Sequence, residues 1–172
     1  ISSIPEMQER TIILDGFSKS YAMTGWRMGY GIFPEELVPH IVKLAVNSVS
    51  CAAPFTQKAA VAALEGPRDE VEAMVAEFGI RRRLIADGLQ SIPGVNCPEP
   101  EGAFYLMVNV RATGMDATTF ATRAMAEAKV QIIPLDTLPG GEGHVRLSYA
   151  ADDATIEEGL SRLRNWLSIQ NS

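Results

Sequence analysis

The stretch Asp15-Gly16-Phe17-Ser18-Lys19-Ser20-Tyr21-Ala22-Met23-Thr24-Gly25-Trp26-Arg27-Met28-Gly29-Tyr30 sets a lysine and an arginine eight residues apart between two apolar segments. Just before it, Thr11-Ile12-Ile13-Leu14 is a short continuous run rich in β-branched residues. Such a run reads as a strand buried on both faces, the kind found in parallel sheets. Asp15-Gly16 ends that strand, Phe17–Gly25 reads as a loop, and Trp26–Phe33 resumes as a strand containing Gly29 and Gly31. Lys19 therefore follows the end of a strand, where α/β proteins commonly bind ligands. An ammonium that must act as a nucleophile needs a depressed pKa, which a partly desolvated pocket and a neighbouring cation can supply. A guanidinium such as Arg27 can hold a phosphate through two parallel hydrogen bonds. Taken singly, these residues also have plain readings: a solvated loop lysine, a surface arginine, and rim or core aromatics at Trp26 and Tyr30.

Working outward, Ile1–Arg10 is irregular, with Pro5 as a breaker. On the other side Pro34 opens a helix, with Glu35 and Glu36 favourable at its positive end. Leu37, Ile41, Leu44 and Ala45 follow helical spacing, and a second helix over about Phe55–Leu64 stops at Gly66-Pro67, the expected boundary between two regions. Asp69–Leu89 reads as a long helix with Val71, Met74, Val75, Phe78, Ile85 and Leu89 on one stripe. Phe104–Val110 reads as a strand, Asp116 as the N-cap of a helix over Ala117–Ala128, Val130–Ile133 as a strand ended by Pro134, and His144–Tyr149 as another. Asp152 or Asp153 caps a final amphipathic helix carrying Ile156, Leu160, Leu163 and Leu167. Mixed helix and strand throughout argues an α/β or α+β fold.

Composition narrows the function classes. Of 172 residues, 47% are hydrophobic and 21% charged, the proportions of a globular protein. The net charge of -6 and the absence of a basic run argue against nucleic acid as a partner. No apolar run approaches a membrane span, and no signal peptide is visible. Cys51 and Cys97 form no metal-binding pair, and a reducing, cytoplasmic setting is expected. His40 and His144 have no acidic or cysteine neighbours at metal spacing and read as surface or packing residues. The first residue is Ile1, not Met, as expected of a chain cut from something longer.

The run Ser18-Lys19, Tyr21-Ala22-Met23-Thr24-Gly25-Trp26-Arg27, Gly29-Tyr30 closely resembles the cofactor-lysine segment of class I/II aminotransferases, the fold-type I pyridoxal-phosphate enzymes, nearest to the aspartate aminotransferase-like subgroup. The resemblance implies that Lys19 forms the Schiff base with pyridoxal 5'-phosphate and later moves the substrate proton. Arg27 would grip the cofactor phosphate. Pro100-Glu101-Gly102-Ala103-Phe104-Tyr105 and Gly141-Glu142-Gly143-His144-Val145-Arg146-Leu147-Ser148-Tyr149-Ala150 resemble small-domain strands of the same family. Arg146 is thereby implied to pair with the α-carboxylate of the substrate, since a planar fork suits a planar carboxylate. From spacing alone, the alternation of Val145, Leu147 and Tyr149 with Arg146 and Ser148 marks only a half-exposed strand.

By this resemblance residues 1–67 are the carboxy-terminal part of the large, cofactor-binding domain and residues 68–172 the whole small domain. The implied reaction is amino-group transfer between an amino acid and a 2-oxo acid, and the full-length protein would be a homodimer. Two departures stand out. Gly16 replaces a phosphate-donating serine found in many relatives, and Pro134-Leu135-Asp136-Thr137-Leu138-Pro139 departs from the usual pocket loop and is one residue shorter. The family's pyridine-pairing aspartate and the glycine- and serine-containing helix start that holds the phosphate lie upstream of the eighteen residues that precede Lys19 here. An isolated chain of this extent is therefore expected to be inactive. Three other readings stay open: a ligand-sensing module of a transcription regulator, a pyridoxal-phosphate-dependent lyase on the same scaffold, and a degenerate fragment whose fold survives without activity.

Overall fold

The computed structural model describes residues 1–170, which divide into two compact units, Ile1–Glu72 and from Ala73 onward. The fold is mixed helix and sheet in both.

In the first unit, β1 (Ile13–Gly16) pairs antiparallel with β2 (Gly29–Ile32), in a register that sets Ile13 opposite Ile32 and Gly16 opposite Gly29. This corrects the expectation of a strand buried on both faces in a parallel sheet. Leu14 is 75% exposed, and Ile12, Ile13 and Ile32 are also open. The chain leaves β1 through one helical turn, α1 (Phe17–Ser20), and a 3-10 turn at Thr24–Trp26, where the sequence reads as loop. Pro34 precedes a 3-10 turn at Glu35–Leu37, which leads into α2 (Val38–Val49) with Pro39 in its first turn. α3 (Pro54–Glu65) begins on a proline, whose missing N–H costs nothing there. It ends at Gly66, where an added Cβ would meet the Ala62 carbonyl at 2.5 Å.

The second unit holds one hydrophobic core. α4 (Asp69–Gln90), in which the division between the units falls, buries Ile85, Ala86 and Leu89. Its amino-terminal half is not buried as its stripe predicts: Val75 is exposed, and Phe78 is only partly buried, edge-on to Tyr149. β3 (Tyr105–Asn109), β4 (Ile133–Pro134) and β5 (His144–Ser148) form an antiparallel sheet in the order β3-β5-β4. Alternation places Leu106, Val108, Val145 and Leu147 on the core side. α5 (Ala117–Arg123) continues through a π-type turn at Ala124–Ala128, and α6 (Asp153–Gln170) closes the layer. Ile156, Leu160, Leu163 and Leu167 of α6 pack on the sheet residues and on Phe120.

Both helix starts are capped as the sequence indicates. Asp116 accepts the Thr119 N–H at 2.7 Å, and Asp152 accepts the Thr155 N–H at 2.7 Å. Cys97 lies in the core, where burial pushes its thiol up to about 11. No helix among the described residues is long and apolar enough to cross a membrane.

Candidate active site

The antiparallel ribbon sets Lys19 and Arg27 beyond the same end of β1 and β2 in the first unit. β1 leaves its ladder at Gly16 and β2 enters it at Gly29, directly opposite, so both connections emerge from one end of the ribbon. The Phe17 N–H donates to the Met28 carbonyl at 3.2 Å and closes that end. Lys19, in α1, follows Gly16, and Arg27 precedes Gly29. Both side chains are exposed.

The segment between them is folded tightly. The Tyr21 and Met23 N–H groups both donate to the Phe17 carbonyl at 3.3 Å, and the Ala22 N–H donates to the Lys19 carbonyl at 3.1 Å. Phe17 is buried against Tyr21 and Tyr30, with ring centroids 5.4 and 5.6 Å away. Ala22 and Arg27 take left-handed backbone, at φ 53° and 52°. A side chain there costs about 1–2 kcal/mol, and such strain concentrates at functional segments. Arg27 Nη1 donates to the Thr24 carbonyl at 3.1 Å, which leaves further guanidinium donors. Asp15, which the sequence marks only as a strand end, accepts from the Gly16 N–H at 2.7 Å and from the Tyr30 hydroxyl at 3.3 Å. Partial burial and then the Asp15 carboxylate raise the Tyr30 pKa.

The backbone at Gly16 leaves room for a side chain. Its φ of -157° is extended, and an added Cβ would stand 3.4 Å from the Met28 carbonyl, an ordinary contact. Glycine is therefore not required at this departure from the family pattern.

Arg146 belongs to the second unit, on the central strand β5. It faces Met107 of β3 and Ile133 of β4, both of which are half-exposed, on the side of the sheet away from the core. Its guanidinium lies over the Tyr105 ring, 5.1 Å from the centroid, a cation–π contact that keeps the fork extended across the sheet. Among the described residues no carboxylate pairs with it. His144, two residues before, bonds with the Glu142 carbonyl at 3.0 Å and the Asn109 amide at 3.3 Å, a packing role.

Sequence reasoning missed Tyr105 and Asp136. Tyr105 meets Arg146 only through cross-strand register. Asp136 sits in the shortened loop after β4 and accepts three hydrogen bonds from groups eighteen and seven residues away.

Lys19 and Arg27 thus stand at one end of the ribbon in the first unit, and Arg146 lies on the outer face of the sheet in the second. The sequence profile of the family described as Aminotransferase class I and II matches residues 2–163, and the chain belongs to that family. It is 43% identical over 166 residues to an aspartate aminotransferase of Musicola paradisiaca, covering 95% of this chain and 41% of that protein. It is 36% identical over 168 residues to a putative aminotransferase, YugH, of Bacillus subtilis, covering 97% of this chain and 43% of that one. The crystal structure of an aromatic aminotransferase from Pyrococcus horikoshii superposes on 99% of the chain with a TM-score of 0.95 at 36% identity, over 46% of its own length. The chain thus spans less than half the length of the relatives it matches.

Proposed function

We propose that this chain is part of a pyridoxal-phosphate-dependent aminotransferase that moves an amino group between an amino acid and a 2-oxo acid. The observation that carries the reading is the placement of Lys19 and Arg27 at one end of the β1–β2 ribbon. Two cations there suit a cofactor with an aldehyde at one side and a phosphate at the other. Lys19 would link covalently to the cofactor aldehyde and, once displaced by the substrate amine, hold and move the proton of the substrate α-carbon. Arg27 would hold the phosphate. The cofactor ring, when bound, supplies the electron sink. Arg146 would orient the substrate by its carboxylate, because a planar fork fixes a planar acid in two dimensions. The names of the relatives favour an acidic or aromatic amino donor. Residues 1–67 would then belong to the cofactor domain and residues 68–172 to the small domain, in a homodimeric, cytoplasmic enzyme.

The pairing group for the pyridine nitrogen has no counterpart among the residues before Lys19, so the 172-residue chain alone should show no measurable transamination. The test is direct. The purified chain is mixed with pyridoxal phosphate, its visible absorbance is compared with that of Lys19→Ala, and the adduct is fixed with borohydride and mapped by mass spectrometry. Label confined to Lys19, with a band absent from Lys19→Ala, supports the assignment. Label spread over Lys43, Lys58 and Lys129 and unaffected by Lys19→Ala would sink it.

A further inference from the structure

The β4–β5 pairing holds Arg146 in place on one side with little backbone to do it. β4 has two residues, Ile133 and Pro134, and only Ile133 opposite Arg146 and Pro134 opposite Val145 are in register. Pro134 has no N–H to donate to the ladder. Beyond it the Leu135 N–H donates to the His144 carbonyl at 3.0 Å, and the backbone pairing stops. The next residue is Asp136. Its Oδ1 accepts the Gly143 N–H at 3.0 Å, and its Oδ2 accepts both the Thr118 N–H at 2.8 Å and the Thr118 hydroxyl at 3.0 Å. Asp116 already serves the Thr119 N–H, so the first turn of α5 uses two carboxylates, one local and one from the loop.

We infer that Asp136 is a positioning residue, whose carboxylate straps the turn between β4 and β5 to the start of α5 and so fixes the strand that presents Arg146. Side-chain hydrogen bonds here stand in for the ladder bonds that a short, proline-ended β4 cannot make. The strap holds the Gly143 N–H, three residues ahead of Arg146, while the Val110 N–H holds the Gly143 carbonyl at 3.0 Å on the β3 side, so its release loosens the β4-side edge of β5 and with it the guanidinium above Tyr105. Asp136 lies in the stretch 134–139 that the sequence reading singles out as a departure from the family pattern. The inference rests on the reading of Arg146 as the carboxylate-binding residue.

The experiment uses the full 172-residue chain, with amide exchange and the Arg146 Nε–H resonance followed by NMR during titration with succinate. In Asp136→Ala the Gly143 and Thr118 amides should exchange roughly tenfold faster or more, as loss of a hydrogen bond to a charged group requires. Succinate should bind at Arg146 roughly tenfold more weakly, while the core amides of α6 stay protected. Asp136→Asn keeps one good acceptor and should fall between wild type and Asp136→Ala. It also carries the comparison if the alanine variant unfolds. Asp116→Ala is the control: it should speed exchange at Thr119 and leave succinate binding unchanged. Equal succinate affinity in wild type and both Asp136 variants, or unchanged exchange at Gly143 and Thr118, overturns the inference. No succinate response in the wild-type chain is a different failure: it removes the reading of Arg146 itself, and this inference with it.

Discussion

Gly143→Ala should destabilise the second unit by about 2–3 kcal/mol, for two separable reasons. Gly143 has φ +67°, and a Cβ in that region costs about 1–2 kcal/mol. The new Cβ would also fall 2.4 Å from Arg111 Cγ and 2.6 Å from Arg111 Nε. Cγ is close to the backbone, so the side chain cannot bend away at its tip. It must change rotamer and give up the hydrogen bond from Nη2 to the Glu142 carbonyl, a loss of about 1 kcal/mol. The assay is urea unfolding followed by far-ultraviolet circular dichroism, on wild type, Gly143→Ala, Arg111→Ala and the double variant. In the Arg111→Ala background the clash is gone, so Gly143→Ala should cost only its backbone share. The cycle should therefore return a coupling of about 1 kcal/mol. A single-variant loss below about 0.5 kcal/mol would refute the left-handed strain argument. A coupling near zero would refute the Arg111 contact while leaving the strain intact.

Ala103 offers the mirror case: it is exposed at φ +67°, so Ala103→Gly should stabilise the chain by about 0.5–1 kcal/mol, read as a higher urea midpoint. The Tyr149 hydroxyl, which donates to the Ala103 carbonyl at 2.7 Å, keeps its backbone acceptor in that variant, so a lowered midpoint would contradict the argument. The pH dependence of stability tests Asp136. The Gly143 N–H, followed by the Thr118 groups, holds its carboxyl below the usual carboxylate range. A group whose folded pKa is depressed contributes stability above its unfolded pKa and loses it as pH falls through the folded value. The melting-temperature gap between wild type and Asp136→Asn should therefore be constant near neutrality and close on acidification below the unfolded carboxylate pKa. A gap that stays open to the lowest pH at which both proteins fold would show that the charge contributes nothing.

Much of the second unit was legible in the sequence because its signals are local. The start of α6 follows from Asp152 and a stripe of leucines, and α5 from Asp116. The inward side of β5 follows from strict alternation. Where the reading failed, the deciding information lay in other parts of the chain. The stripe on α4 predicts burial along its whole length, yet only the end that meets the sheet and α6 is covered. β1 reads as a strand of a parallel sheet, yet the strand it pairs with here is the one that follows it, antiparallel. Hydrophobicity sets what a segment would gain by burial; topology decides whether a layer is there to provide it.

The candidate site divides in the same way. Lys19 and Arg27 can be picked out because they belong to one contiguous string, and the ribbon adds where that string sits: the Gly16–Gly29 pair starts and ends it at one end of the ribbon. Arg146 can be picked out as a motif residue, but what surrounds it cannot. Tyr105, Met107 and Ile133 come from two other strands, and only the antiparallel register selects them. The left-handed conformations of Ala22 and Arg27 leave no mark in the sequence at all, since neither is glycine or asparagine. Asp136 is the instructive case between these. Its loop was visible as a departure, but a departure shows only that something differs. The three hydrogen bonds to Gly143 and Thr118 turn it into a statement about what holds β5, and that statement is one a single carboxylate substitution can test.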